Sequence, residues 1–188
     1  GGLFSDGPEV DSDGTLTFDT TNDEFGSATF SVAVMDTGGT DFGGDNTSDA
    51  TVYTITVDPI NDVPSFTASD PDPVNEDTAG EQSIDNWAVV DSFGPGESGQ
   101  SVSAYNVSGV SDPSGLFADG PNVDTNGTLT YTLNPDVYGQ ATFNVNLKDN
   151  GGDVGDHEDN VDTSPNEQFT LVVNPVNDEP TFTSHGNT

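Results

Sequence analysis

A chain of 188 residues can form one large domain or two small ones, and this one sets 34 acidic residues against a single basic residue, Lys148, for a formal net charge of −33. Neutralising phosphates takes Lys and Arg, so this balance excludes nucleic acid as a partner and argues against anionic membrane surfaces. The absence of cysteine removes disulfides, thiolate metal sites and cysteine nucleophiles.

Apolar residues make up only 30% of the chain, but they fall in short alternating runs, with 11 Phe, 4 Tyr and 1 Trp as anchors. We therefore expect a folded protein with thin cores. In chain order, the runs that alternate as half-buried strands do are TLTF (15–18), ATFSVAV (28–34), VYTITV (52–57), PSFTAS (64–69), QSVSAYNVS (100–108), TLTYTL (128–133), ATFNVNL (141–147) and QFTLVV (168–173). Gly, Asn and Asp turns separate them, as in SDG before residue 15 and TNG before residue 128. No segment has convincing helical periodicity. WAVV (87–90) is about the longest apolar run, so no membrane insertion is expected.

The sequence repeats itself. GLFSDGPEVDSDGTLTF (2–18) matches GLFADGPNVDTNGTLTY (115–131), and FGSATFSVAVMDTGG (25–39) matches YGQATFNVNLKDNGG (138–152), both at an offset of 113. YTITVDPINDVPSF (53–66) then matches FTLVVNPVNDEPTF (169–182) at an offset of 116. Only the second copy is preceded by a segment such as 64–114. The expected organisation is the C-terminal part of one repeat (1–63), a complete repeat (64–179) and the start of a third (180–188), within a longer molecule built of many such units. Several short strands per repeat, spaced by turns, predict an all-β chain of tandem Ig-like Greek-key sandwiches joined by short linkers rich in Pro, Asn and Asp.

VNEDTAGEQSIDNWAV (74–89), GPGESGQSV (94–102), GTLTYTLNPDVYGQATFNVNLKDNGG (127–152), VDTS (161–164) and the recurrent NPVNDEPTF ending (174–182) resemble the cadherin-like tandem repeats of very large bacterial surface proteins. The resemblance covers essentially the whole chain. It implies a calcium-dependent β-sandwich array outside the cell, on a bacterial surface, whose partners are neighbouring repeats of the same or an identical chain and other surface or matrix components. It implies a structural role in a stalk, adhesin or filament rather than an enzymatic one.

Calcium takes six to eight oxygens from carboxylates, amide carbonyls, backbone carbonyls and water. DPINDVP offers Asp58, Asn61 and Asp62 within five residues, between prolines that stiffen an extended linker. By the cadherin-like layout, Asp149 in LKDNGG faces that junction, and Asp36 is its counterpart in the first copy. Glu76 in NED joins Asn174, Asn177 and Asp178 at the next junction, with Asp77 as an auxiliary ligand. Asn and Asp beside Pro are also ordinary turn formers, so turn and metal site both remain open at these positions.

The acidic stretch DNGGDVGDHEDNVD (149–162), with Asp153, Asp156, Glu158, Asp159 and Asp162, reads as a solvated loop, although Asp162 could close over a second ion. DSDG (11–14) lacks the Glu of a calcium-binding helix-loop-helix and reads as a hairpin turn. His157 and His185 have no partner at metal spacing, and no Ser is flanked as a nucleophile. The sequons at Asn46, Asn106 and Asn126 carry little weight in a bacterial protein. Trp87 reads as a core residue rather than a sugar platform, which argues against a carbohydrate-binding accessory module of a secreted enzyme. A subunit of a self-assembling fibre, completed by strands donated from a neighbour, is the other alternative.

Overall fold

Alternation with period two, interrupted by Gly, Pro, Asn and Asp, leaves this chain little choice but strands. The computed structural model describes residues 2–151 and 160–183. Thirteen strands follow one another: β1 (Phe4–Val10), β2 (Leu16–Thr20), β3 (Gly26–Val32), β4 (Thr51–Val57), β5 (Ser65–Thr67), β6 (Val74–Asn75), β7 (Glu81–Ile84), β8 (Val89–Ser92), β9 (Val102–Ser111), β10 (Phe117–Val123), β11 (Leu129–Leu133), β12 (Gly139–Asp149) and β13 (Glu167–Asn174). The chain divides into two compact units, Gly1–Ile60 and Asn61–Thr188. The division falls three residues before the expected end of the first repeat, and Asn61 bonds within the second unit, its N–H to Asn160 Oδ1 and its Nδ2 to the Val161 carbonyl.

The first unit consists of two antiparallel hairpins, β1–β2 and β3–β4. The turn of the first is held by Asp11, whose Oδ1 accepts from the backbone N–H groups of Asp13 and Thr15, both at 2.9 Å. This is the hairpin turn expected from SDG. Phe4 packs edge-on against Phe18 at 5.5 Å between ring centroids, and Phe30 stacks on Tyr53 at 5.8 Å.

The second unit has a three-stranded sheet in the order β10–β11–β7, a four-stranded sheet in the order β6–β13–β12–β9, and the pair β5–β8. All pairings are antiparallel except β6 with β13. Alternate residues of β11 (Leu129, Tyr131, Leu133), β12 (Ala141, Phe143, Val145, Leu147) and β13 (Phe169, Leu171, Val173) meet in one core with Phe66, Trp87, Ala88, Tyr105 and Leu116. The sheets thus face each other in a sandwich-like arrangement. Each fully buried Leu, Val or Phe contributes about 1.5–3 kcal/mol to holding it. Trp87 packs on Phe169 at 4.7 Å and on Phe143 at 6.0 Å, and its Nε1 donates to the Ser69 carbonyl at 2.7 Å.

The hairpins of the two units pair in the same register. Phe4↔Thr20, Asp6↔Asp19, Glu9↔Thr17 and Val10↔Leu16 in β1–β2 correspond, at the offset of 113, to Phe117↔Leu133, Asp119↔Thr132, Asn122↔Thr130 and Val123↔Leu129 in β10–β11. β3–β4 and β12–β13 also pair in the same register, as do the bridges Met35↔Thr47 and Lys148↔Thr163, with an offset of 113 on the first partner and 116 on the second. β1 and β10 were not among the expected strands because each carries Gly-Pro at its middle. The ladder accommodates the proline by shifting register there, as proline in a strand requires.

Candidate metal centres

Two clusters of oxygen-bearing side chains form, both in the second unit. The first is built where the chain enters β5, where β12 ends, and in the loop between β8 and β9. The β12 alternation that places Val145 and Leu147 in the core carries on to Asp149, which is buried at 1% exposure. A buried carboxylate needs donors or a cation. Asp149 Oδ1 accepts from the Gly151 N–H at 3.0 Å and from Asn61 Nδ2 at 3.3 Å. Asn61 is itself buried, and its Oδ1 accepts from Gln100 Nε2 at 2.7 Å. Gln100 Nε2 also donates to Glu97 Oε1 at 2.7 Å, and Glu97 Oε2 accepts from the Asp62 backbone N–H at 3.2 Å.

Two glycines permit this crowding. A Cβ on Gly151 would lie 1.6 Å from Asn61 Oδ1, and one on Gly94 would lie 2.2 Å from Glu97 Oε2 and 2.5 Å from the Asp62 Cβ. The cluster is electrostatically tense. Burial pushes the Glu97 carboxyl up, and the charges of Asp62 and Asp149 push it further, against the bonds from the Asp62 N–H and from Gln100. Burial also raises Asp149, with a contribution from Asp162; the Gly151 and Asn61 donors and the charge of Lys148 oppose it. Gln100 Oε1 is buried and accepts no hydrogen bond.

The second cluster lies where β6 and β13 end. Their parallel pairing sets Asn75 beside Asn174, and the Glu76 N–H then donates to the Asn174 carbonyl at 2.9 Å. Glu76 is buried at 5% exposure, and its Oε1 accepts from the Val176 N–H at 2.6 Å. The carboxylates of Asp77, Asp136 and Asp178 lie within 4.8 Å of one another and are exposed. Asp77 Oδ1 accepts from the Asp136 N–H at 3.3 Å. The Asn177 side chain donates to the Asp178 carbonyl at 3.1 Å.

The residues singled out from the sequence therefore fall into three sets. Asn61, Asp62 and Asp149 come together in the first cluster. Glu76 and Asn174 join at the second, and Asp77 and Asp178 meet there, while the Asn177 side chain turns to backbone. Asp58 and Asp36 belong to the first unit and are exposed. Asp36 Oδ1 accepts from the Gly38 N–H at 2.7 Å, the same local bond that Asp149 makes with Gly151. Asp162 does not join a cluster: it pairs with Lys148 at 2.7 Å, which lowers its pKa. Asp153, Asp156, His157, Glu158, Asp159 and His185 lie outside the described residues.

Sequence reasoning missed Glu97, Gln100 and Asp136. Glu97 is the only acid between Ser92 and Ser111, a signal that was available, whereas Asp136 sits in NPDVYG and looks like any turn residue. No protein-family model and no curated protein matches the chain. Among the described residues, no helix is long and apolar enough to cross a membrane.

Proposed function

We propose that this chain is part of a calcium-stabilised array of cadherin-like Greek-key sandwiches, a structural, non-enzymatic element of an extracellular stalk, adhesin or filament on a bacterial surface. The observation that carries the proposal is the first cluster. Two carboxylates with raised pKa, Asp149 and Glu97, are linked through the side-chain amides of Asn61 and Gln100, and the buried Oε1 of Gln100 accepts no bond. Such a donor set is hard oxygen throughout and suits calcium. Glu97, Asp149, Asp62, Asn61 and Gln100 Oε1 would hold the ion, which would supply the positive charge these groups lack. The Nδ2 of Asn61 now presents only the positive end of a dipole to Asp149.

The mechanism is mechanical. Asn61 and Asp62 belong to the segment that leads into β5, whereas Glu97 and Asp149 belong to the body of the sandwich. A shared cation would clamp that segment to the strands and stop its rotation. Without the ion, the like charges push the segment away. At the other end, Asp77, Asp136 and Asp178 would draw the 174–178 segment onto β6 in the same way, with Glu76 already bonded to its backbone. Neighbouring repeats would be the partners. Extracellular calcium modules bind at about 0.1–1 mM, so the clamp would be filled at the calcium levels of seawater.

Isothermal titration of the chain with calcium tests this. The expected result is saturable binding in that range, with one site lost in Asp149→Asn and none lost in Asp162→Asn. No heat beyond that of matched magnesium would overturn the proposal.

A further inference from the structure

A cleft of about 340 Å³ opens on the second unit between residues 69–73, which lead from β5 to β6, and β7. That volume is enough for one small ligand. The segment is held in place: Asp70 Oδ1 accepts from the Thr170 N–H of β13 at 2.7 Å, and the Ser69 carbonyl accepts from Trp87 Nε1 at 2.7 Å. Val74, Ile84 and Trp87 give the cleft an apolar side, and Tyr131 lines it from β11. Tyr131 pairs with Gln82 of β7, so the two side chains share a face. Tyr131 is only 3% exposed, yet its hydroxyl makes no hydrogen bond among the described residues. A buried hydroxyl without a partner is destabilising, and this one belongs to the wall of a space that a ligand can enter. The polarity of that wall is one-sided. The ring N–H of Trp87 is taken by Ser69, and Gln82 Nε2 donates to the Gly80 carbonyl at 3.2 Å. What remains is acceptor oxygen: the carboxylate of Asp72 and Oε1 of Gln82, neither with a partner among the described residues, together with Oδ2 of Asp70 and the Tyr131 oxygen. Asp70 and Asp72 are exposed.

We propose that this cleft binds a primary ammonium group on a short alkyl stem, as a free alkylamine or a lysine side chain carries it. An ammonium has three donors and no acceptor, which complements a wall of acceptor oxygens. Its charge suits Asp70 and Asp72 in a chain of net charge −33, and Trp87 and Tyr131 add aromatic rings, to which cations are attracted. The alkyl stem matches the apolar side formed by Val74 and Ile84. Calcium fits less well, because it takes six to eight oxygens and the apolar side offers none. A neutral sugar needs donors as well as acceptors, and the ring and amide N–H groups are already engaged. The two aspartates repel an anion. None of Asp70, Asp72, Gln82 and Tyr131 belongs to the two candidate metal centres, so this site stands or falls apart from the calcium reading.

Trp87 is the only tryptophan of the chain, so its fluorescence reports on this cleft. The test titrates the full chain in EDTA with n-butylammonium chloride, at an ionic strength held constant with sodium chloride. The expected result is a saturable change, about tenfold weaker in Tyr131→Phe, which loses a hydrogen bond to a charged group, and about threefold weaker in Asp72→Asn, which loses an exposed charge. Calcium binding should be unchanged in both variants. Should Tyr131→Phe melt early, Asp72→Asn, at an exposed position, carries the test. Nα-acetyl-lysine methylamide separates the two sources: binding of both compounds assigns the cleft to a lysine side chain, and binding of n-butylammonium alone assigns it to a free alkylamine. An equal response to tetramethylammonium, which has no N–H to donate, or to glucose would overturn the proposal, as would titrations undiminished in both variants. Isothermal titration with the same salt covers a silent fluorophore, and the absence of saturable heat as well as of any fluorescence change would equally overturn it.

Discussion

The two ends of the second unit carry similar acid counts in different settings. At the entry to β5, Asp149 is buried at 1% exposure and Glu97 and Asp149 both have raised pKa. At the exit from β13 the three carboxylates of Asp77, Asp136 and Asp178 are exposed, and the one buried acid, Glu76, already accepts from a backbone N–H. Exposed charges are screened by water and salt, and buried ones are not. The difference teaches that acidity alone does not make a demand for a cation: burial does. The entry cluster should therefore dominate any calcium response, and the exit cluster should add a smaller share.

The largest break in this comparison should come from Gly151→Ala. Its Cβ would collide with Asn61 and Gln100, and overpacking of this kind costs about 1–3 kcal/mol. Denaturant unfolding should show the loss with and without calcium, whereas Thr78→Ala beside the exit cluster should leave the entry cluster's calcium response intact.

Next comes Asp149→Asn, which separates metal from packing. In EDTA it removes a strained charge and should leave stability nearly unchanged. In calcium it should forfeit the gain from one site, about 2.7 kcal/mol at an ion concentration 100 times the dissociation constant. A loss of the same size in EDTA would mean that Asp149 works through hydrogen bonds alone.

The pH dependence sharpens the contrast further. Glu97 and Asp149 have folded pKa values above their ordinary ones. The folded state thus holds more protons than the unfolded one in the window between the two values. The stability contributed by these groups is fully present below the unfolded pKa, about 4 for a carboxylate, and is lost as pH rises through the folded value. In EDTA, this contribution should grow as pH falls from neutral towards that window. Calcium should reverse the trend, because protons then compete with the ion. Asp162 has the opposite sign: its pKa is lowered by Lys148, so its contribution fades as pH falls through that lowered value. Thermal melts of wild type and Asp149→Asn across this range, with and without calcium, would separate the two.

The smallest effects belong to exposed groups. Asp136→Asn should weaken the calcium midpoint of the exit end by a few-fold and leave the metal-free melt unchanged. Asp162→Asn, which breaks an ion pair whose Lys is 43% exposed, should cost about 0.5 kcal/mol, with or without calcium.

Much of the fold was legible because period-two alternation is a local signal. TLTYTL, ATFNVNL and QFTLVV each became a strand of the core, and their first-unit counterparts became strands as well. The Gly-Pro strands β1 and β10 were not legible, since a bulge is a property of the pair and not of either run. Short β7 and β8, EQSI and VVDS, are strands because of what lies beside them. Of the entry cluster, Asn61 and Asp62 could be named because prolines mark the linker, and Asp149 because the resemblance to cadherin-like repeats implied it. Glu97 and Gln100 could not, since they sit in a polar Gly-Pro loop 35 and 39 residues from the groups they meet.

The central claim is that the entry cluster is a cation clamp, and it is tested most directly by thermal unfolding of the chain in EDTA, in millimolar calcium, and in magnesium at matched ionic strength. The account predicts a rise of several degrees in calcium alone, most of it absent in Asp149→Asn. Equal rises in calcium and magnesium, retained in that variant, would reduce the effect to screening of a −33 chain and contradict the claim.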